Sequence, residues 1–236
     1  MVRGGPMHRT LVCTPTYNEA LNVQPLIDAI LSAAPQVEVL VIDDASPDGT
    51  GGIVQSRMLK DARINLMQRP GKLGLGTAYL AGFAFGLQLI TIDADLSHPP
   101  DRIPALIAAA DGGADLSIGS RYVPGGAIQG WGPGRRLLSG TANAVARSVL
   151  GLRTHDCTGG FRCYSRGVLE FLAGRPLRSS GYSALVELLA RCERRGFSIE
   201  EVPITFVDRR HGQSKISRQE VLRAVATVVR LAGRRE

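Results

Sequence analysis

The sequence predicts an α/β protein, a single domain built on a mostly parallel central sheet with helices on both faces. Three observations carry that expectation. From Arg9 to Gly119, short apolar β-rich runs alternate with amphipathic stretches, the pattern of strands covered on both sides. Polar motifs recur directly after those runs, and open parallel sheets bind ligands beyond the carboxyl ends of their strands. The 236 residues, 44% hydrophobic and 21% charged, suit one generous domain better than two small ones.

The runs Thr10 to Cys13, Val37 to Ile42, Ile64 to Met67, Leu89 to Ile92 and Leu116 to Ile118 read as strands. After them come the polar loops Thr14 to Glu19, Asp43 to Thr50, Arg69 to Gly76, Asp93 to His98 and Ser120 to Tyr122. These loops share one rim, and their recurrence marks a site more strongly than any one of them. Pro124 to Gly134 is a Gly/Pro-rich loop holding the only tryptophan, Trp131; its length favours a lid over the rim above an interdomain linker. A helix from about Arg136 to Leu150, a strand near Gly160 to Tyr164, a helix near Tyr182 to Arg194, a strand near Ile199 to Phe206 and a helix near Arg218 to Leu231 complete the order. Residues 1–8 read as a flexible N-terminus, 9–217 as the domain and 218–236 as a basic amphipathic helix. Val221, Leu222, Val225, Val228 and Val229 share one face of that helix, which either packs on the sheet or lies on anionic lipid.

The net charge of +7 points to an anionic partner. Much of it lies late, from Arg209 onward, and 5% aromatics offer little for stacking on bases, so phosphate or lipid is favoured and nucleic acid is not expected as a partner. Four cysteines without a CxxC pair suggest reduced thiols in a cytoplasm. Met1 to Arg9 has no apolar segment of a secretory signal. No run approaches the ~20 apolar residues that span a bilayer, so membrane contact is expected to be peripheral.

Asp93-Ala94-Asp95 ends a strand, where alternation points both carboxylates to one side. Two hard oxygen donors hold a divalent cation whose shell a phosphate completes; alone the pattern is weak, since Asp95 or Ser97 would equally cap the helix near Asp101. Asp43 and Asp44 offer acceptors to a base or ribose, while Ser46, Pro47 and Asp48 read as a turn. Arg69 to Thr77 is a basic Gly-rich turn in which Lys72 reaches a diphosphate or merely closes the turn; its spacing fits neither phosphate-loop nor dinucleotide fingerprints. Arg121, Arg209 and Lys215 sit at or just after strand ends, suited to clasp phosphates as fork and point charge. His98 and His155 read as structural hydrogen-bonders.

Taken in order, Pro15-Thr16-Tyr17-Asn18-Glu19, Asp43-Asp44 with Ser46 to Thr50, Lys72 to Gly76, Asp93-Ala94-Asp95, Gly119-Ser120-Arg121-Tyr122 and Asp208-Arg209 with Gly212, Ser214 and Lys215 resemble polyprenyl (dolichyl) phosphate mannose synthases. These are family-2 inverting glycosyltransferases of the nucleotide-diphospho-sugar (GT-A) fold, and the likeness runs from about Leu11 to Ser217. It implies metal-dependent transfer of mannose from GDP-mannose to a polyprenyl phosphate at the cytoplasmic face of a membrane, and it admits a membrane-spanning partner subunit; some relatives carry a transmembrane extension. Transfer of glucose from UDP-glucose, or of another hexose, is the alternative. The resemblance assigns Pro15, Tyr17, Glu19, Asp43, Asp44, Lys72, Asp93 and Ala94 to the nucleotide sugar and Asp93 and Asp95 to Mg²⁺ or Mn²⁺. It assigns Asp95, Arg121, Arg209 and Lys215 to the reaction itself, and places Asp156 to Arg162 near the acceptor. Ser97 stands where some relatives carry a metal-binding amide.

Overall fold

The computed structural model describes residues 10–83, 88–173, 175–179, 181, 183–209 and 227–233. In chain order the first half holds β1 (Thr10–Thr16), α1 (Val23–Ala33), β2 (Glu38–Asp43), α2 (Thr50–Met58), β3 (Ile64–Gln68), α3 (Leu75–Phe83), β4 (Gln88–Thr91), a 3-10 turn (Pro100–Arg102) and α4 (Ile103–Asp111). The second half holds β5 (Leu116–Ser120), β6 (Ala127–Gln129), α5 (Pro133–Leu150), β7 (Arg162–Tyr164), α6 (Arg166–Leu172), α7 (Ser183–Arg195), β8 (Ile199–Pro203) and β9 (Thr205–Val207). Residues 227–232 are helical. The rest of the helix expected from Arg218, the first nine residues and Lys215 lie outside the described residues.

The large sheet has the order β3-β2-β1-β4-β7-β5-β8. All its pairings are parallel except those of β7, which lies antiparallel between β4 and β5. Thr16 pairs with Asp43 and Asp43 with Gln68, so three strands end level and their loops leave one edge. Period-2 alternation supplies both faces. Leu11, Cys13, Leu40, Ile42 and Leu89 enter one buried cluster. Val12, Val39, Val41 and Ile90 enter the other. Helix α1 covers the second with Val23, Leu26, Ile27, Ile30 and Leu31, the i, i+3, i+4, i+7 stripe of an amphipathic helix. Helix α7 is buried from Ser183 to Ala190, so it forms part of the core on the first face.

Two expectations change. The single strand expected over Ile199 to Phe206 is two strands in different sheets: β8 extends the large sheet beside β5, and β9 pairs with β6. The break falls at Pro203, which has no N–H to donate to a ladder, and Ile204 N next donates to Ser120 O at 3.0 Å. The Pro124 to Gly134 stretch, expected as a bare loop, contains β6. It folds back onto the end of β5 so closely that a Cβ at Gly126 would stand 2.7 Å from Ser120 O.

Gly119 on β5 has a similar steric reason, because a Cβ there would lie 2.7 Å from Phe161 Cδ1 and 3.1 Å from Ile204 Cγ2. Gly119→Ala is expected to cost about 1–3 kcal/mol by overpacking, read as a lower denaturation midpoint with an unchanged slope.

Candidate active site

Asp43 ends β2 almost fully buried, at 1% exposure. Its Oδ1 accepts from Thr16 Oγ1 at 2.9 Å and Ser46 Oγ at 2.5 Å, and its Oδ2 accepts from Ser46 N at 3.1 Å. Ala45, at φ 52°, makes the sharp turn between them. Asp44 accepts from Arg69 Nε at 2.5 Å and Leu73 N at 3.2 Å, while the same guanidinium donates to Thr77 Oγ1 and Gly74 O. Both carboxylates thus organise the loops around them, a structural duty that the residue types alone did not reveal. Asp48 closes the expected turn through Thr50 and Ala20 N; burial pushes its carboxyl up, but those hydrogen bonds outweigh it and the net shift is downward.

What these loops carry at the rim is Tyr17 with Lys72 Nζ 4.9 Å from its ring centroid, a cation–π contact. Pro15 lies within β1 opposite Ile42. Glu19 Oε2 accepts from Asn22 Nδ2, and Glu19 N donates to Thr50 Oγ1, which ties the first loop to the second.

Asp93, Ala94 and Asp95 follow β4, with Ala94 4% exposed between the acids. Tyr79 Oη donates to Asp93 Oδ1 at 3.3 Å. Burial raises the Asp93 carboxyl above its ordinary value; the Asp95 charge adds to this, while His98 and the Tyr79 hydroxyl act against it. Asp95 Oδ1 accepts from Ser97 N at 3.1 Å and Ser97 Oγ at 2.5 Å, and its Oδ2 lies 3.2 Å from Arg209 Nη2. Ser97 therefore orients Asp95, and neither residue caps the following helices, which have no side-chain cap.

Asp95, buried, and Asp93, half-buried, place two carboxylates side by side, an oxygen donor set that fits a hard divalent cation. Among the described residues no group of three or more His, Cys, Asp or Glu is assembled to hold one. His98 is 2% exposed between the rings of Phe161 and Phe206. Its Nδ1 makes no hydrogen bond among the described residues and stands 3.7 Å from Asp93 Oδ2. His155 is the hydrogen-bonder expected, through Glu201 Oε2 at 2.8 Å.

Arg121 follows β5 and is gripped by Asp156. Its Nε donates to Oδ2 and its Nη2 to Oδ1, each at 2.7 Å, and Nη2 also reaches Thr158 Oγ1 at 2.9 Å. Nη1 bonds no described residue, which leaves one edge of the fork for a ligand. Burial disfavours both charges, yet mutual attraction and hydrogen bonding outweigh it, so the guanidinium pKa lies above and the Asp156 pKa below their ordinary values. Glu201 holds the loop by accepting from Ser120 Oγ, His155 N and Asp156 N. From α5, Asn143 accepts from Cys157 N.

The Trp131 ring packs on Phe206 and under Arg135, which pairs with Asp208 at 3.0 Å. Tyr79 and Glu201 were not expected to shape the site, and Asp156 was expected near the acceptor from the resemblance but not as the partner of Arg121; the partners of all three are distant in sequence. The thiols of Cys13, Cys157, Cys163 and Cys192 are free, and burial pushes each up to about 12, so none is a nucleophile near neutral pH. None of the described helices is long and apolar enough to cross a membrane.

Comparison with known proteins agrees with this fold and with the family resemblance. Polyprenol monophosphomannose synthase from Mycolicibacterium smegmatis is 47% identical over 230 residues, covering 94% of this chain and 86% of the relative. Undecaprenyl-phosphate mannosyltransferase from Micrococcus luteus is 42% identical over 227 residues, covering 94% of this chain and 93% of the relative. In fold, the chain resembles glucosyl-3-phosphoglycerate synthase from Mycobacterium tuberculosis, solved with Mn²⁺, UDP and glucosyl-3-phosphoglycerate, at a TM-score of 0.70 and 22% identity over 97% of this chain and 81% of that one. A mannosyltransferase from Pyrobaculum calidifontis, solved with GDP-mannose and Mn²⁺, gives a TM-score of 0.62 at 18% identity over 94% of this chain and 64% of that one. Residues 11–172 match the model of glycosyl transferase family 2, and with these relatives the chain belongs to that family.

Proposed function

We propose that this chain transfers mannose from GDP-mannose to the phosphate of a polyprenyl (dolichyl-type) phosphate, inverting the anomeric carbon, at the cytoplasmic face of a membrane. The observation that carries the reading is the meeting of Asp93 and Asp95 with Arg209, 3.2 Å from Asp95, at the sheet edge where Arg121 also emerges. The names of the two mannosyltransferase relatives support the sugar and the lipid.

In this reading Pro15, Tyr17, Glu19 and the loops shaped by Asp43 and Asp44 receive the nucleoside, and Lys72 and the Ala94 backbone flank the diphosphate. Asp93 and Asp95 hold Mg²⁺ or Mn²⁺. When bound, that cation supplies charge neutralisation to the leaving diphosphate. Arg121, through its free Nη1 edge, Arg209 and Lys215 draw in the acceptor phosphate against the repulsion between two anions. The acceptor oxygen attacks the anomeric carbon in line, and GDP leaves. A phosphate is already ionised near neutral pH, so no general base is needed; positioning and neutralisation remain as the catalytic effects.

Incubation with labelled GDP-mannose or UDP-glucose and polyprenyl phosphate, with divalent metal or with chelator, tests this. Labelled lipid is expected only from GDP-mannose and only with metal. Preferential use of UDP-glucose, or full turnover in chelator, overturns the donor or the metal assignment respectively.

A further inference from the structure

Away from the rim, a cleft of about 580 Å³ runs along α7 between residues 175–179 and the final helical stretch. Its walls carry Arg175, Arg178, Arg191, Arg194, Arg195 and Arg230, with Glu187 the one acid among the described lining residues. That acid is spent, because it is 1% exposed and accepts from Arg191 Nη2 and from the backbone N–H groups of Arg178 and Ser179. Arg191 also donates to Arg175 O and Pro176 O, Arg230 to Arg178 O and Ser179 Oγ, and Arg194 to Leu231 O. These bonds go to neutral oxygens and fix the walls without themselves neutralising charge. Arg178 and Arg195 are exposed, and their side chains bond no described acceptor.

We propose that this cleft docks the anionic phosphate headgroups of the bilayer that carries the acceptor. The inference rests on the lipid acceptor proposed above. Charge complementarity selects an anion, and the surroundings select a lipid surface. On the far side of the 175–179 segment lies a second, mainly apolar cleft of about 140 Å³, lined in part by Leu73, Leu80 and Leu177. It shares Pro176 with the first and reaches Gly74 and Gly76 in the turn at the rim. Leu73 is 54% exposed there, and Val229, beside Arg230, is 64% exposed. Guanidinium groups next to exposed aliphatic side chains match the boundary between headgroups and acyl chains. A nucleic acid would want stacking rings, and the one ring lining the cleft, Phe171, already packs on Phe197 and under Arg175.

The test is flotation of the full chain with vesicles of phosphatidylcholine alone or mixed with phosphatidylglycerol. The wild type is expected on the mixed vesicles only and to be released by salt. With about fivefold in partitioning per arginine near an anionic surface, the double substitution Arg178→Gln and Arg195→Gln is expected to lose about 25-fold. Arg178→Lys with Arg195→Lys is expected to keep most of the binding. Turnover of a short, water-soluble polyprenyl phosphate is expected to be the same for all three proteins.

Equal partitioning of the Gln variant overturns the proposal. So does a parallel loss of soluble turnover, which would make the cleft part of the catalytic apparatus, or displacement from vesicles by an oligonucleotide at physiological salt, which would assign it to nucleic acid. A wild type that floats but transfers no mannose to the soluble acceptor refutes the proposed reaction and leaves the docking result standing.

Discussion

Replacing Asp93 with Asn is expected to lower the transfer rate by about 10³-fold, about 4 kcal/mol of transition-state stabilisation, without lowering the melting temperature. Asp93 is one of two carboxylates that the described part of the protein offers a cation at the rim, and an amide oxygen carries no charge to hold it. Burial raises the carboxyl, with Asp95 adding to the effect. The fold therefore disfavours the ionised acid that the reaction requires, and removal of the charge relieves that cost near neutral pH. Loss of activity with equal or higher stability is the mark of a site kept for chemistry. Initial rates at saturating donor, Mn²⁺ binding followed by electron paramagnetic resonance and a thermal melt provide the three readouts. A variant that still binds Mn²⁺ and turns over near the wild-type rate removes Asp93 from the metal site.

Asp156→Ala is expected to have the largest effect on stability, about 3–5 kcal/mol, because it strands the Arg121 guanidinium in the interior. At about 2–4 °C per kcal/mol for a domain of this size, the melting temperature should fall by about 10 °C. The acid dependence carries a sign. Arg121 and the hydrogen bonds hold the Asp156 carboxyl below its ordinary value, against burial, which acts in the opposite direction. Its contribution is therefore complete above the unfolded carboxylate pKa of about 3.9 and is lost as pH falls through the lower folded value. The gap between wild type and variant should be level from neutrality to about pH 5 and narrow below about pH 4. A gap that stays constant to lower pH contradicts the pairing. Arg121→Lys keeps the charge but not the two-pronged geometry, so it should reduce turnover more than stability.

The sequence alone made the fold class legible because strand identity is local. Apolar runs with period-2 alternation and a polar motif after each appear within a dozen residues, and β1 to β5 fall within a residue or a few of the expected limits. The same locality exposed the acids of β4 and the arginines after β5 and β9, since a strand end dictates the side on which its next residues emerge.

Long-range pairing decided the rest. Arg121 meets Asp156 across 35 residues and Asp156 N meets Glu201 across 45. β7 enters the sheet in reverse between strands that precede it, and the chain from Ile199 to Val207 divides between two sheets at Pro203. Asp43 and Asp44 carry motif residues whose oxygens the folded chain engages with its own donors. Which partner satisfies a buried polar group depends on what folding brings beside it, and residue type and spacing do not encode that.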